Sequence, residues 1–124
     1  MLPLKKLLIA AAAALILAPA AAFAADESGA WTVSADFGGA IQYKITCTLK
    51  EDGAVITGEC TDPQGGPVSQ VKGTATATAV EFNYDTTYQG SPIHLDYKGD
   101  VQPDGSLKGA IDAGGPQGTF TATR

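Results

Sequence analysis

The chain has few of the side chains on which catalysis and metal binding depend. Its 124 residues include one histidine, one methionine, one tryptophan and two cysteines. Two cysteines and a single distant histidine cannot supply the four ligands of a structural zinc site. The sequence contains no Cys-x-x-Cys pair, nucleophile elbow, phosphate-binding loop or dinucleotide fingerprint. We therefore expect no enzymatic activity, no metal and no cofactor.

Basic residues are also scarce. The chain carries thirteen acidic and eight basic side chains, a net charge of −5. Because Lys5 and Lys6 lie in the first 24 residues, the remaining chain has six basic against thirteen acidic side chains, a net charge of −7. Such a surface repels phosphate backbones and anionic lipid headgroups. Nucleic acid and anionic membrane surfaces are therefore not expected partners.

One long hydrophobic run occurs, and it lies at the N-terminus. Lys5 and Lys6 precede eleven apolar residues, Leu7 to Leu17, and the small-x-small sequence Ala22-Phe23-Ala24 follows. This order is typical of a cleavable secretory signal peptide. The run is shorter than the roughly 20 residues of a transmembrane helix. The sequence predicts a signal peptide over 1–24 and a single domain over 25–124. That domain would lie in the periplasm or outside the cell, with no membrane span after cleavage.

The rest of the chain alternates between apolar and polar residues. The clearest example places Ile41, Tyr43 and Ile45 on one face and Gln42 and Lys44 on the other, the pattern of a half-buried strand. Turns rich in glycine, proline and aspartate separate eight such segments, over 31–37, 41–49, 55–61, 68–75, 80–84, 93–101, 107–111 and 118–122. Eight strands in consecutive order predict an all-β, antiparallel up-and-down β-barrel, since closure removes exposed edges. A two-sheet β-sandwich is the alternative.

Glycine recurs on the apolar face of four of these segments. Gly58, Gly73, Gly99 and Gly109 each end a short weak repeat such as Val71-Lys72-Gly73. Glycine weakens an ordinary strand interior. Its recurrence therefore predicts either sharp coiling of the strands or a neighbour packed closely over each glycine.

The cysteines, Cys47 and Cys60, predict a disulfide, because an even pair in an exported chain is normally oxidised. A two-residue turn at Asp52-Gly53 would set Cys47 opposite Gly58 and leave Cys60 only a diagonal neighbour. Direct pairing of the cysteines therefore predicts a longer loop or a bulge in this hairpin.

The two ends of the predicted domain resemble those of known barrels. Gly29-Ala30-Trp31 opens the first strand and Arg124 ends the chain, which resembles the calycins, the lipocalin and avidin-like families. The resemblance implies that Trp31 plugs one barrel end and that Arg124 stacks on its ring. Biotin binding is not carried over, since avidin-like proteins use several tryptophans. The chain is also similar in size to small periplasmic inhibitors of metalloproteases, which insert an N-terminal arm; here Ala25 to Ser28 precede Gly29.

Alternation also predicts which side chains point into the barrel. The large ones are Trp31, Val33, Phe37, Ile41, Tyr43, Ile45, Leu49, Ile56, Val71, Val80, Phe82, Tyr84, Ile93, Leu95, Tyr97, Leu107, Ile111 and Phe120; the small ones are Gly58, Gly73, Ala75, Gly99, Gly109, Gly118 and Ala122. So many bulky residues predict a mostly filled interior with at most a shallow pocket at one mouth. An enclosed apolar cavity above about 300 Å³ would instead favour a buried ligand.

These features predict an exported, non-enzymatic binding protein. The preferred reading is a protein partner recognised through loops and the outer surface; a small apolar ligand and a protease are the alternative partners. Tyr43, Tyr84 and Tyr97 are the candidate ligand-binding residues, because buried phenol hydroxyls need polar partners; the alternative is that they are ordinary core aromatics. His94, beside Asp96 on the polar face, is interpreted as a solvated pair rather than a general base.

Overall fold

The structure, a computed structural model, describes residues 26–124, and every regular element in this range is a strand. The strands are β1 (Gly29–Phe37), β2 (Ile41–Asp52), β3 (Val55–Thr61), β4 (Ser69–Ala75), β5 (Ala79–Tyr88), β6 (Ser91–Val101), β7 (Leu107–Asp112) and β8 (Gln117–Thr123). Residues 26–124 therefore hold no helix long and apolar enough to cross a bilayer. The predicted signal peptide and its cleavage after Ala24 lie outside the described residues.

The eight strands form one closed antiparallel barrel. Each strand pairs with the next along the chain, and β8 returns to pair with β1, where Phe120 lies opposite Ala35. The all-β, up-and-down barrel predicted from the alternation is confirmed, and the β-sandwich alternative is wrong. Closure satisfies the backbone groups that an open sheet would expose at its two edges.

The connections divide between two ends of the barrel. The connections after β1, β3, β5 and β7 lie at one end, called here the open mouth. The chain termini and the connections after β2, β4 and β6 lie at the other, called here the closed end.

The predicted inward face is the buried face. Of the eighteen large residues assigned to it, all but four are buried. The exceptions are Phe37, Tyr43 and Ile93, which are half-buried, and Ile41, which is 41% exposed. These four residues lie toward the open mouth, so the barrel is less completely filled there.

The hairpin between β2 and β3 corrects one prediction. Cys47 and Cys60 are directly paired and form a disulfide, but neither a longer loop nor a bulge is needed. Asp52 pairs with Val55, so the two-residue turn is Gly53-Ala54, one position later than expected. Gly53 has a φ of 64°, the conformation that a tight hairpin turn requires at its first central residue.

The mid-strand glycines allow close approach between strands. A Cβ on Gly73 would lie 2.0 Å from the carbonyl oxygen of Glu81, and one on Gly109 would lie 1.8 Å from that of Lys98. Both obstacles are backbone atoms of the adjacent strand. Gly73 and Gly109 therefore lie where one strand passes close to the backbone of its neighbour, whereas a Cβ on Gly99 would meet the Phe120 ring.

The closed end is plugged by Trp31. Its ring is 1% exposed, and its Nε1 donates a hydrogen bond of 2.8 Å to the carbonyl oxygen of Glu27. The Arg124 guanidinium lies over the ring, with Cζ 4.4 Å from the centroid, and donates to the carbonyl oxygens of Asp26 and Ser28. This is the arrangement expected from the sequence. The last side chain of the barrel thereby ties residues 26–28 to the first strand.

Replacing Arg124 with leucine should lower the free energy of unfolding by about 1–2 kcal/mol, because the cation–π contact and two hydrogen bonds are lost. It should also shift the fluorescence of Trp31, which is the chain's sole tryptophan. Urea denaturation followed by circular dichroism and fluorescence measures both effects. An Arg124→Lys variant keeps the charge and should retain part of the stability. If Arg124→Leu changes neither the free energy of unfolding nor the fluorescence, the contact between Arg124 and Trp31 does not contribute to stability.

Candidate functional site

The open mouth leads into a cavity of about 500 Å³ with a mostly apolar lining. It is larger than the shallow pocket that the sequence predicts, although it is open to solvent rather than enclosed. Inner side chains of β1, β2, β5 and β6 form its walls: Phe37, Ile41, Tyr43, Ile45, Tyr84, Ile93 and Leu95. Residues at and near the connections form its rim: Asp62, Gly65, Gly66, Pro67, Ser69, Thr86, Thr87, Tyr88, Ala113 and Pro116.

The cavity ends at a cluster of three tyrosines, called here the tyrosine trio and the floor: Tyr43 and Tyr84 line the cavity, and Tyr97 lies beyond them, outside the lining. Tyr43 comes from β2, while Tyr84 and Tyr97 come from β5 and β6 on the opposite wall. The Tyr84 and Tyr97 hydroxyls are 2.6 Å apart, those of Tyr43 and Tyr84 are 3.3 Å apart, and the Tyr43 hydroxyl also hydrogen-bonds that of Tyr97. The three candidate residues from the sequence are thus brought together at the barrel axis.

The tyrosine trio is electrically neutral. Burial raises the pKa of the Tyr43, Tyr84 and Tyr97 phenols above its ordinary value, since the charged form would lose its hydration. Three hydroxyls offer three donors for three mutual contacts. The trio can therefore satisfy its own donors, which is the condition for placing it against an apolar surface without an unpaired O–H group.

Beneath the floor the barrel is filled by aromatic rings. Phe82 stacks on Tyr97 at 4.4 Å between centroids, and Phe120 meets the Tyr97 ring edge-on at 5.1 Å. Packing of this kind adds to the area that the rings bury. The interior prediction is therefore correct toward the closed end and wrong toward the open mouth.

His94 lies on the outer wall, away from the cavity. Its Nδ1 is 2.7 Å from Asp85 Oδ1 across the β5–β6 pair, and its Nε2 is 3.5 Å from Asp96 Oδ2. The hydrogen bond to Asp85 raises the pKa of the imidazole. Alternation placed His94 correctly beside Asp96, but the nearer partner, Asp85, follows from the strand register. The side chain is about half exposed, and it contributes no group to the cavity.

Sequence reasoning missed most of the rim. Thr86, Thr87 and Tyr88 belong to an extension of β5 beyond the predicted segment, and Gly65 and Pro67 belong to a connection. Thr86 pairs with Ile93 and Tyr88 pairs with Ser91, so the β5–β6 hairpin extends outward beyond the level of the tyrosine trio. The signal was available in the β-branched pair Thr86-Thr87 and the Gln89-Gly90 turn, which favour a longer hairpin.

The described residues contain no group of three or more His, Cys, Asp or Glu side chains arranged to hold a metal ion. The candidate site is therefore an apolar cavity with a neutral polar floor and an acidic rim. No family model, no curated protein and no solved structure matches this chain.

Proposed function

We propose that this protein binds a small, largely apolar molecule in the cavity at the open mouth. The observation that carries the proposal is a volume of about 500 Å³ with a mostly apolar lining, which falls within the usual range of roughly 300–1,000 Å³ for ligand sites. Binding rather than catalysis is proposed, because the cavity lining contains the neutral phenols of Tyr43 and Tyr84 and no acid–base pair.

The geometry supports insertion of an apolar group first. Ile45 and Leu95 line the inner part of the cavity, and Leu95 is only 5% exposed. The lining tyrosines, Tyr43 and Tyr84, hydrogen-bond to each other and to Tyr97, so covering them with hydrocarbon leaves no phenol donor unpaired. Removing this surface from water is favourable by about 25 cal/mol per Å².

Binding of the neutral fluorescent probe N-phenyl-1-naphthylamine tests this proposal. We expect saturable fluorescence enhancement in the wild-type protein. Ile93→Trp should weaken binding at least tenfold, because the larger ring would occupy the cavity from its half-buried position on β6. Val55→Trp is the matched control, since Val55 is 55% exposed and begins β3 at the closed end. Near-ultraviolet circular dichroism verifies that both variants are folded.

Equal probe affinity in the two tryptophan variants would contradict binding in the cavity.

A protein partner is the second candidate, favoured by three apolar side chains exposed around the mouth region, Ile41, Val68 and Tyr88. Under that reading, the wild-type protein would not bind the probe saturably. Calycin or protease-inhibitor identity is a further proposal that rests on the sequence resemblance. An inhibitory arm would have to precede Asp26, because residues 26–28 are held against the closed end.

We also propose that the chain works after export. The Cys47–Cys60 disulfide is consistent with an oxidising compartment, and the N-terminal sequence has the order of a signal peptide. Recovery of the protein only in the cytoplasmic fraction, with an intact mass that retains residues 1–24, would contradict this proposal.

A further inference from the structure

Aspartates are the acidic side chains around the open mouth, and one of them, Asp85, is paired with His94 on the outer wall. Asp62 is the one charged residue among those that line the cavity. The segments that form this end, 36–43, 61–69, 85–93 and 112–117, contain no lysine or arginine, and each has one aspartate. The mouth is thus acidic within a domain of net charge −7.

Backbone hydrogen bonds hold three of these carboxylates in place, among them Asp36, whose Oδ1 accepts from the Gly39 N–H at 2.6 Å. Asp62 Oδ1 accepts from the Gln64 backbone N–H at 2.8 Å, and Asp112 Oδ1 accepts from that of Gly115 at 2.9 Å. The bond to Gly115 lowers the pKa of Asp112. The contacts at Asp62 and Asp112 brace the two turns and hold the carboxylates at the rim.

The polar and apolar parts of the cavity lie at different depths. The inner lining offers Ile45, Leu95 and neutral phenols, where an ion would lose its hydration without gaining a counter-charge. The rim offers the Asp62 carboxylate and the ring of Tyr88, which is 48% exposed. A carboxylate and an exposed aromatic ring are both favourable neighbours for an ammonium group and only weakly dehydrate it.

Resting on the ligand-binding function proposed above, we propose that the cavity selects amphiphiles with an apolar tail and a cationic amine or quaternary ammonium head. The tail lies against Ile45 and Leu95, and the head lies at the rim beside Asp62. A ligand with the same tail and a carboxylate head would meet like charge and no basic side chain within the lining.

Three probes with the same ten-carbon tail test the inference: decyltrimethylammonium, decanol and decanoate, each titrated calorimetrically below its micelle concentration. At about 20 mM salt we expect the cation to bind most tightly and the anion least, with about a tenfold difference between them, as Coulomb's law gives for opposite signs a few ångströms from one carboxylate in water. The difference should narrow at 0.5 M salt, where the screening length falls to roughly 4 Å.

Asp62→Asn should lower the ratio of decyltrimethylammonium to decanol affinity about threefold or more, since asparagine keeps the Oδ1 acceptor for Gln64 but removes the charge. Asp104→Asn is the matched control, because Asp104 lies in the β6–β7 connection at the closed end; the ratio should stay within twofold. Decanoate binding as tightly as the cation at low salt would overturn the charge selection. Failure of all three probes to bind would instead contradict the proposed ligand-binding function.

Discussion

Gly109→Ala is expected to lower the free energy of unfolding by about 3–5 kcal/mol, a large part of the roughly 5–15 kcal/mol that stabilises a typical domain. The added Cβ would lie 1.8 Å from the carbonyl oxygen of Lys98 and 2.7 Å from the Cα of Gly99. Both are backbone atoms of β6, so no side-chain rotation can relieve the overlap. The β6–β7 pair would have to separate, at a point where closure of the barrel depends on it.

Two matched variants test whether overlap with the β6 backbone causes the loss of stability in Gly109→Ala. In Gly99→Ala the nearest atom would be Phe120 Cζ at 2.8 Å, the far end of a side chain, so a smaller loss is expected than at Gly109. Ala110→Ser changes the adjacent, outward-facing residue and should stay within about 0.5 kcal/mol of wild type. Urea denaturation followed by circular dichroism gives all three values. A Gly109→Ala protein as stable as Ala110→Ser would show that the strands do not approach as closely as described.

The glycine repeat illustrates what the sequence can predict. Alternation assigns each strand residue to a face, because successive side chains point to opposite sides. Gly58, Gly73, Gly99 and Gly109 therefore stand out as gaps in the apolar face. Whether a gap is filled by a neighbouring backbone or by a side chain depends on strand register and coiling, and these follow from closure of the whole sheet.

The cavity illustrates what the sequence leaves undetermined. Alternation places Ile41 on the inner face but does not give its height along the barrel axis, and Ile41 proves to be 41% exposed at the mouth. The same reasoning counted Ile93 and Phe37 as filling residues. Their side chains lie where the barrel opens, so they line the cavity instead of filling the interior. The volume depends on how the connections and the longer β5–β6 hairpin stand around the mouth.

The sequence predicts where the chain reverses between β2 and β3 but not which two residues form the turn. Asp-Gly is a strong hairpin signal, and it located the reversal correctly. However, the observed register pairs Cys47 with Cys60, and the turn lies one residue later, at Gly53-Ala54. A single glycine with positive φ serves either register, since it can occupy the first or the second central position of a tight turn.

Removing the disulfide should cost about as much as the glycine substitution. In the chain-entropy model, a link between residues 13 apart constrains the unfolded chain and contributes about 3 kcal/mol. For a domain of this size that corresponds to a fall in the melting temperature of roughly 12–24 °C. Cys47 and Cys60 are both fully buried, so the Cys47→Ala, Cys60→Ala double variant should lose about 1 kcal/mol more through the space left behind.

Reduction separates these two contributions. Wild-type protein unfolded in urea with a strong reductant retains both sulfur atoms and loses only the cross-link, so it should be destabilised by about 3 kcal/mol. The double alanine variant should be less stable than that and indifferent to the reductant. The barrel should still close in both cases, because each cysteine is also held by backbone pairing, Cys47 to Trp31 and Cys60 to Ser69. If reductant leaves the wild-type midpoint unchanged while thiol titration shows two free thiols, closure of the sheet alone fixes this hairpin, and the disulfide contributes nothing to stability.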